Sequence, residues 1–258
     1  MNLIKKIKFR LAKFQFSKEY FCCICNYRIG HFLPYKGGLY ALPSFLKVLD
    51  MVGSDVDNFS CPRCWSHDRE RHLFLYLEKM GLLANFHQSH ILHFAPERWI
   101  AKIIAEKLPA RYIKADLYPT APDILKVDML NIQFLDASFD FVIANHVLEH
   151  VNDEIQALKE LHRVLKPGGF AILQTPYSAK LLHTFCDAGI DDAESRLQAY
   201  GQEDHVRLYG RDIFERFESV GFISRVKTHA EILAGINSKR YGLNQSEPFF
   251  LFEKAQSE

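Results

Sequence analysis

The sequence predicts an α/β fold in which a doubly wound, mainly parallel sheet follows a small cysteine-containing segment. From residue 90 onward, short apolar runs typical of buried strands alternate with stretches of helical periodicity. Before residue 70 the chain instead carries two C-x-x-C pairs among prolines and glycines. The 258 residues are enough for one full domain and a small appendage.

Composition excludes several classes of protein. The 32 Lys and Arg residues nearly balance the 31 Asp and Glu residues, whereas a protein that coats nucleic acid usually has a clear basic excess. Six cysteines are too few for a disulfide scaffold in a chain of this length. No apolar run approaches the roughly 18 residues of a membrane span. We therefore expect a cytoplasmic protein.

Residues 1–20 are expected to form a basic amphipathic helix. Leu3, Ile7 and Leu11 fall on one helical face, and lysine and arginine residues fall on the other. We favour packing of the apolar face against the protein itself. The alternative is contact with an anionic membrane surface through residues 1–16.

Residues 21–85 are expected to form a zinc-ribbon-like segment and a linking helix that ends at Gly81. Four cysteines in two C-x-x-C pairs can surround a tetrahedral zinc ion, and the expected ligands are Cys22, Cys25, Cys61 and Cys64. Four thiolates leave no open coordination position, so the zinc is expected to be structural. The alternative is thiols without metal. We expect this segment and the ligand site of the sheet to be separate units.

Residues 86–258 form the expected large domain. Strands are predicted at residues 91–94, 111–115, 123–127, 139–144, 170–174, 222–226 and 249–252. Helices are predicted around residues 99–104, from the cap Asn152 to the Pro167-Gly168-Gly169 stop, and over residues 212–220. Ligands of doubly wound sheets bind beyond the carboxyl ends of the strands.

Two carboxylates follow successive predicted strands at that edge. Asp116 ends the second strand, 23 residues after His93, where an acid is well placed to accept hydrogen bonds from ribose hydroxyls. Asp128 follows the third strand, where it can accept from an adenine amino group, with Met129 covering the ring. Taken singly, each acid is more often only a polar strand end or a cap. Together they indicate a nucleoside site.

Three motifs in one order resemble a known family. Residues 134–142 (FLDASFDFV), 146–151 (HVLEHV) and 163–169 (RVLKPGG) closely resemble the class I methyltransferases often labelled type 11. The stretch 201–210 (GQEDHVRLYG) and the paired cysteines resemble a bacterial subgroup of that family. The resemblance covers most of the chain. It implies a Rossmann-like methyltransferase fold with seven strands, the last antiparallel, and S-adenosylmethionine as methyl donor.

The first loop departs from the family pattern. It is usually glycine-rich, so that backbone can approach the methionine end of the cofactor, but residues 93–98 (HFAPER) contain no glycine. Because the subgroup has a similar stretch, His93, Ala95 and Glu97 are still expected to contact the cofactor, as is Asn145. Glu97 is expected to pair with its ammonium group. The alternative is a fold that has lost the cofactor.

The methyl acceptor is expected to be a small-molecule or carbohydrate-type hydroxyl. Transfer from a sulfonium requires a positioned nucleophile, and a hydroxyl also benefits from a base such as histidine. The resemblance aligns His150 with the base of some sugar O-methyltransferases; His205 and His146 are further candidates. One alternative is an rRNA or tRNA methyltransferase that captures RNA with its ribbon. Another is a non-catalytic cofactor-binding or interaction protein.

Overall fold

The computed structural model describes residues 19–256, and most of the predicted N-terminal helix lies outside them. Strands β1–β11 span Tyr20–Cys22, Tyr27–Ile29, Met51–Val52, His90–Phe94, Arg111–Asp116, Leu125–Lys126, Phe139–Ala144, Leu165–Ile172, Tyr177–Ser178, Phe222–Ser224 and Leu251–Lys254. Helices α1–α9 span Ser44–Val48, Asp68–Lys79, Leu82–Asn85, Arg98–Ala105, Glu154–Val164, Ala193–Tyr200, Ile213–Glu218, His229–Ile232 and Ser238–Tyr241. Short 3₁₀ helices span Gly38–Ala41 and Leu148–His150.

The central sheet has seven strands in the order β10-β11-β8-β7-β4-β5-β6. Neighbouring strands from β8 to β6 run parallel, and β11 is antiparallel to both of its neighbours. The doubly wound, mainly parallel sheet with an antiparallel last strand is therefore confirmed. From β4 the chain continues to β5 on one side, and from the adjacent β7 it continues to β8 on the other side. The connections therefore diverge between β4 and β7, which creates a topological switch point at the centre of the sheet.

Helices cover both faces of this sheet. On one face α5 and α7 contribute Leu158, Leu161 and Phe217 to the core. On the other face α2 and α4 pack against β4 and β7 through residues that include Leu77 and Ile104. Helix α2 was predicted as a linker, but it covers the sheet. Among residues 19–256, no helix combines the length and apolar character needed to cross a membrane.

The helix before β8 ends earlier than predicted. Helix α5 is capped by Asp153, whose carboxylate accepts a hydrogen bond from the amide of Gln156, rather than by Asn152. It ends at Val164, and β8 begins at once and includes the Pro-Gly-Gly stretch that was predicted to stop the helix. Pairing with β7 shifts register here. Pairing with the sheet therefore decides the conformation of the stretch.

A buried arginine joins the cysteine-containing segment to the rest of the chain. Arg71 of α2 is 0% exposed, and its guanidinium donates five hydrogen bonds to backbone carbonyls. The acceptors are Asn58, Phe59, Ser66, Tyr241 and Gly242. Strand β3 of the same segment also pairs with β9. These contacts hold the segment near the carboxyl edge of the sheet.

Candidate functional site

The loop after β4 turns sharply without a glycine. Ala95 has a φ of 43°, a left-handed conformation that is uncommon for a residue with a Cβ. Its amide donates a 2.8 Å hydrogen bond to the carbonyl of Ala115 at the end of β5. Two residues later, Glu97 is the N-cap residue of α4. The loop therefore makes its sharp turn at Ala95, where the family resemblance implies a glycine.

Three of the expected cofactor residues meet at this turn. Nε2 of His93 lies 3.2 Å from Oε2 of Glu97, and Nδ2 of Asn145, beyond β7, donates to Oε1 of the same carboxylate. A 2.9 Å hydrogen bond joins Nδ1 of His93 to the hydroxyl of Tyr112. The structure thus brings residues from β4, β5, α4 and the β7 loop to one point at the switch of the sheet.

The surroundings of Glu97 lower the pKa of its carboxyl group. Burial alone would raise the pKa of Glu97, but contact with His93 and the charge of Arg69 outweigh it and lower the pKa. Asn145 is 3% exposed, and its Oδ1 has no hydrogen-bond partner among residues 19–256. Because orphaned buried acceptors are rare and costly, this oxygen marks a place for a ligand donor.

The two predicted nucleoside carboxylates lie farther along the same edge. Asp116 is half-buried, and its Oδ1 accepts a 2.8 Å hydrogen bond from the amide of Tyr118. Asp128 is exposed, and its Oδ1 accepts from the amide of Leu130 at 2.9 Å. Each therefore orders its own turn. Met129 is buried in the core beneath the edge.

A cleft of about 310 Å³ opens beside Glu97. One wall is the loop after β4, and the other is the stretch from Cys64 to Glu70. Nε of Arg69, in this cleft, is buried without a hydrogen-bond partner in the described part of the chain. A guanidinium near a carboxylate suits a zwitterionic amino-acid group. A larger cleft, of about 550 Å³, lies beyond the amino ends of β4 and β5, away from this edge.

Sequence reasoning did not identify Arg69. It is one of two arginines in the Asp68-to-Arg71 run that opens α2. This run can be recognised as the charged first turn of a helix, but only the tertiary structure shows that Arg69 lines the cleft while Arg71 binds carbonyls.

The four predicted metal ligands form one cluster. Sγ of Cys22 lies 3.7 Å from Sγ of Cys64, Sγ of Cys25 lies 4.0 Å from Sγ of Cys61, and all four sulfurs lie within 4.8 Å of one another. In a tetrahedral zinc–thiolate site with bonds of about 2.3 Å, neighbouring sulfurs are about 3.8 Å apart. The spacing fits such an ion and is too long for disulfides.

This cysteine cluster adjoins the cleft. Nε1 of Trp99, in the first turn of α4, donates a 2.9 Å hydrogen bond to the carbonyl of Cys64. The amide of Trp99 donates to Oε1 of Glu70 at 3.0 Å. The cysteine segment and the ligand site were expected to be separate units, whereas the loop between the cysteine cluster and α2 forms a wall of this cleft.

His146 is held between two buried carboxylates. Nδ1 lies 3.5 Å from Oε1 of Glu149, and Nε2 lies 3.4 Å from Oε1 of Glu247. Burial alone would lower the pKa of His146, but these carboxylates raise it to about 9. Glu247 also contacts Nδ1 of His72 at 3.0 Å. No pattern in the sequence pointed to Glu247, which enters the network only through the fold.

The other two candidate histidines adjoin each other. Their rings meet edge to face, with centroids 4.7 Å apart. His205 is buried, and its Nδ1 lies 3.1 Å from the carbonyl of Tyr200; burial lowers its pKa. The His150 side chain is 32% exposed, and its Nδ1 lies 3.3 Å from Oδ2 of Asp204. His150 is thus at the solvent-facing rim of the pair.

Comparisons with known proteins agree with this architecture. Residues 98–173 match a family model described as a methyltransferase domain. These residues run from α4 through β8 and include the switch point. With the seven-stranded sheet, they establish the Rossmann-like methyltransferase fold.

Relatives of the domain match over part of their length. A demethylmenaquinone methyltransferase of Staphylococcus epidermidis is 51% identical over 45 residues, which are 17% of this chain and 19% of the relative. That of Geobacillus stearothermophilus is 32% identical over 107 residues, 36% and 46% of the two chains. The chain therefore spans less than half the length of these curated relatives. An S-adenosylmethionine-dependent methyltransferase structure from Mesorhizobium loti aligns with a TM-score of 0.46 and 15% identity, covering 69% of this chain and 96% of the other.

Proposed function

We propose that the protein is an S-adenosylmethionine-dependent methyltransferase that acts on a small-molecule hydroxyl, carbohydrate-type acceptors included. The observation that carries this proposal is the placement of Glu97, Asp116 and Asp128 beyond three successive strands of a methyltransferase-domain sheet. Near Glu97, Arg69 and Asn145 each keep a buried polar atom that has no hydrogen-bond partner within residues 19–256. These groups match a nucleoside that carries an amino-acid tail.

Each part of the cofactor has a partner of suitable charge. Glu97 takes the ammonium group and Arg69 takes the carboxylate, since both border the 310 Å³ cleft. Asp116 accepts from the ribose hydroxyls and Asp128 from the adenine amino group. His93 and Asn145 orient the Glu97 carboxylate through their hydrogen bonds. When bound, the cofactor supplies a methyl group on a sulfonium centre.

Acceptor activation is assigned to the histidine pair rather than to His146. An imidazolium between two carboxylates has no free lone pair with which to remove a proton. We therefore assign His146 the structural role of linking Glu149 and Glu247. His150 is partly exposed at the rim, and the buried His205 packs against it. A histidine at this position can hold the acceptor hydroxyl and take its proton.

Two observations favour a small-molecule acceptor over RNA. The curated relatives are named for demethylmenaquinone, a small molecule. Balanced charge over the chain favours a small acceptor over RNA. We also propose that the cysteine cluster holds one structural zinc ion, which needs reduced thiols and suits the cytoplasm.

The cofactor assignment is tested by comparing two ligands. We expect Arg69→Gln to weaken S-adenosylmethionine binding by about tenfold or more, since a charged hydrogen bond contributes about 1.5–3 kcal/mol. Binding of 5′-methylthioadenosine, which lacks the amino-acid tail, should change little. Arg28→Gln, on the exposed face of β2, is the matched control. Calorimetry that shows equal losses for both ligands would contradict the placement of the tail.

The reaction itself is tested with a labelled methyl donor. Purified protein and a cell extract should yield a methylated small molecule, found as a mass shift of one methyl group. A product labelled on nitrogen or carbon would overturn the hydroxyl assignment. Cofactor binding without any product across extract fractions would overturn the enzyme assignment.

A further inference from the structure

We propose that Glu149, His150 and His205 bind a divalent transition-metal ion of the zinc class, at a site distinct from the cysteine cluster. One donor atom from each of the three residues lies within 4.8 Å of the others. Two histidines and one carboxylate, with positions left open, form the donor set of many catalytic zinc and iron sites. The proposal concerns metal binding and does not depend on the identity of the methyl acceptor.

Two buried atoms in this cluster lack partners. Among residues 19–256, neither Oε2 of Glu149 nor Nε2 of His205 has a hydrogen-bond partner. Glu149 is 1% exposed and His205 is 5% exposed, so water does not readily compensate for either. An unpaired buried carboxylate oxygen and an unpaired buried imidazole nitrogen are each costly. A single cation between them would satisfy both.

The hydrogen bonds around the cluster orient its members as metal ligands. The carbonyl of Tyr200 can only accept, so the 3.1 Å contact places the proton of His205 on Nδ1 and leaves a lone pair on Nε2. Oδ2 of Asp204 lies 3.3 Å from Nδ1 of His150. A carboxylate behind a histidine ligand is the usual arrangement in zinc sites. Oε1 of Glu149 is already used by His146, which leaves Oε2 free to bind.

The backbone that carries these ligands is held rigidly. The amide of Val206 donates a 2.9 Å hydrogen bond to the carbonyl of Glu149. Arg207 donates to the carbonyls of Leu148, Val151 and Asn152 at 3.0, 2.5 and 2.7 Å. Donors of a tetrahedral zinc site with bonds near 2.05 Å lie about 3.3 Å apart. Small rotations of the side chains can therefore close the set around an ion.

The exposed side of His150 gives the proposed site a function. An ion there would have an open position toward solvent, on the same rim where the acceptor hydroxyl was placed. A divalent ion lowers the pKa of an oxygen ligand, so it would ease loss of the hydroxyl proton to water before the oxygen attacks the methyl group. In the metal-free protein His150 keeps its lone pair and takes the proton itself; with the ion bound, the ion activates the hydroxyl and His150 serves as one of its ligands.

The test is metal binding to the full chain in the absence of cofactor. Protein stripped of metal and reloaded with Co²⁺ should hold two ions, one at the cysteine cluster and one here. Cys61→Ser should weaken or shift only the bands of the thiolate-bound ion, while the weak visible bands of the second ion, which has no sulfur-to-cobalt charge transfer, should persist unchanged. A single ion in the wild type, with thiolate bands only, would overturn the proposal.

Matched variants locate the second ion. Glu149→Gln and His205→Ala should each lower its affinity by 100-fold or more while the thiolate bands persist. Asp204→Asn, at an exposed position, should weaken it by about 10–100-fold, the usual effect of losing an outer partner. His183→Ala, an exposed histidine elsewhere, should change nothing. If Asp204→Asn and His205→Ala bound the second Co²⁺ ion as tightly as the wild type does, that ion would lie elsewhere and the assignment would be overturned.

Discussion

Nε1 of Trp99 donates a 2.9 Å hydrogen bond to the backbone carbonyl of Cys64. Trp99 stands in the first turn of α4, two residues after Glu97, and Cys64 belongs to the cysteine cluster. Any loosening of the cluster must therefore move a wall of the cleft to which we assign the amino-acid tail of the cofactor. A structural metal would then influence cofactor affinity without touching the cofactor.

We expect Cys61→Ser to weaken S-adenosylmethionine binding by about fivefold or more, through loss of order around Cys64. Trp99→Phe keeps an aromatic ring but removes the indole hydrogen bond, which contributes about 1 kcal/mol, so it should weaken binding by up to about fivefold. Calorimetry on zinc-loaded protein measures both effects. Cys186→Ser, at an exposed position, is the matched control. Full affinity in Cys61→Ser would mean that the cleft is independent of the cluster.

The ribose assignment predicts a large effect at Asp116. We expect Asp116→Ala to weaken S-adenosylmethionine binding by about 2–4 kcal/mol, because two hydroxyl hydrogen bonds to a charged acceptor are lost. Since Asp116 also orders the turn at Tyr118, Asp116→Asn is the sharper variant. It keeps an acceptor oxygen for that amide and removes the charge.

The control for Asp116 is Asp123→Ala, which removes an exposed carboxylate that pairs with Lys114 near the same edge. It should leave cofactor affinity unchanged, since exposed ion pairs contribute little. If a folded Asp116→Ala protein bound the cofactor as tightly as the wild type, the ribose would have to lie elsewhere.

Local sequence determined most of the sheet. Strands β4, β5 and β7 were predicted within a residue or two because each carries apolar residues, such as Leu92, Ile113 and Val142, that must be buried in a parallel sheet. The carboxylates that follow them were therefore also found. The cysteine cluster was found because two C-x-x-C pairs have few other uses.

Long-range contacts account for what the sequence did not reveal. Val164 ends α5 because Leu165 and the residues after it pair with β7, a contact that overrides the expected stop at Gly168. Arg69 and Glu247 acquire their surroundings from segments far away in the chain, so no local pattern distinguishes them from surface charges. The sequence motifs identified the residues at the carboxyl edge of the sheet. The opposite wall of the cleft, which includes Arg69, could be identified only from the fold.

Asp68 should make stability depend on pH. Its Oδ2 accepts a hydrogen bond from the amide of Asp55. Burial raises the pKa of Asp68 to about 7, and the charge of Glu247 adds to this rise. Arg71, the hydrogen bond from Asp55 and His146 act in the opposite direction but do not outweigh burial. A carboxyl group with a raised folded pKa contributes stability that is complete below its unfolded pKa, near 4. That contribution is lost as pH rises toward 7.

We therefore expect Asp68→Asn to gain stability relative to the wild type as pH rises from about 4 to 7, with a slope approaching 1.4 kcal/mol per pH unit. Above pH 7 the difference should be constant. Urea unfolding at fixed zinc concentration measures it, with the exposed Asp191→Asn as control. A difference that did not change with pH would show that Asp68 is already ionised in the folded protein at pH 4.

The histidine pair offers the test that separates chemistry from binding. We expect His150→Ala to lower the maximal rate by about 10²–10⁴-fold, the usual contribution of a group that removes a proton in the transition state. Cofactor affinity should stay within about threefold, since we assign the pair to the acceptor and not to the cofactor. If His150 and His205, whose rings are in edge-to-face contact, act as one unit in the reaction, the double variant should be scarcely slower than either single variant. Losses that multiply would mean that the two rings act independently.

Should neither variant lose more than a few-fold with the true acceptor, the acceptor is already nucleophilic. Proximity to the sulfonium would then account for the rate, and the hydroxyl assignment would have to be abandoned.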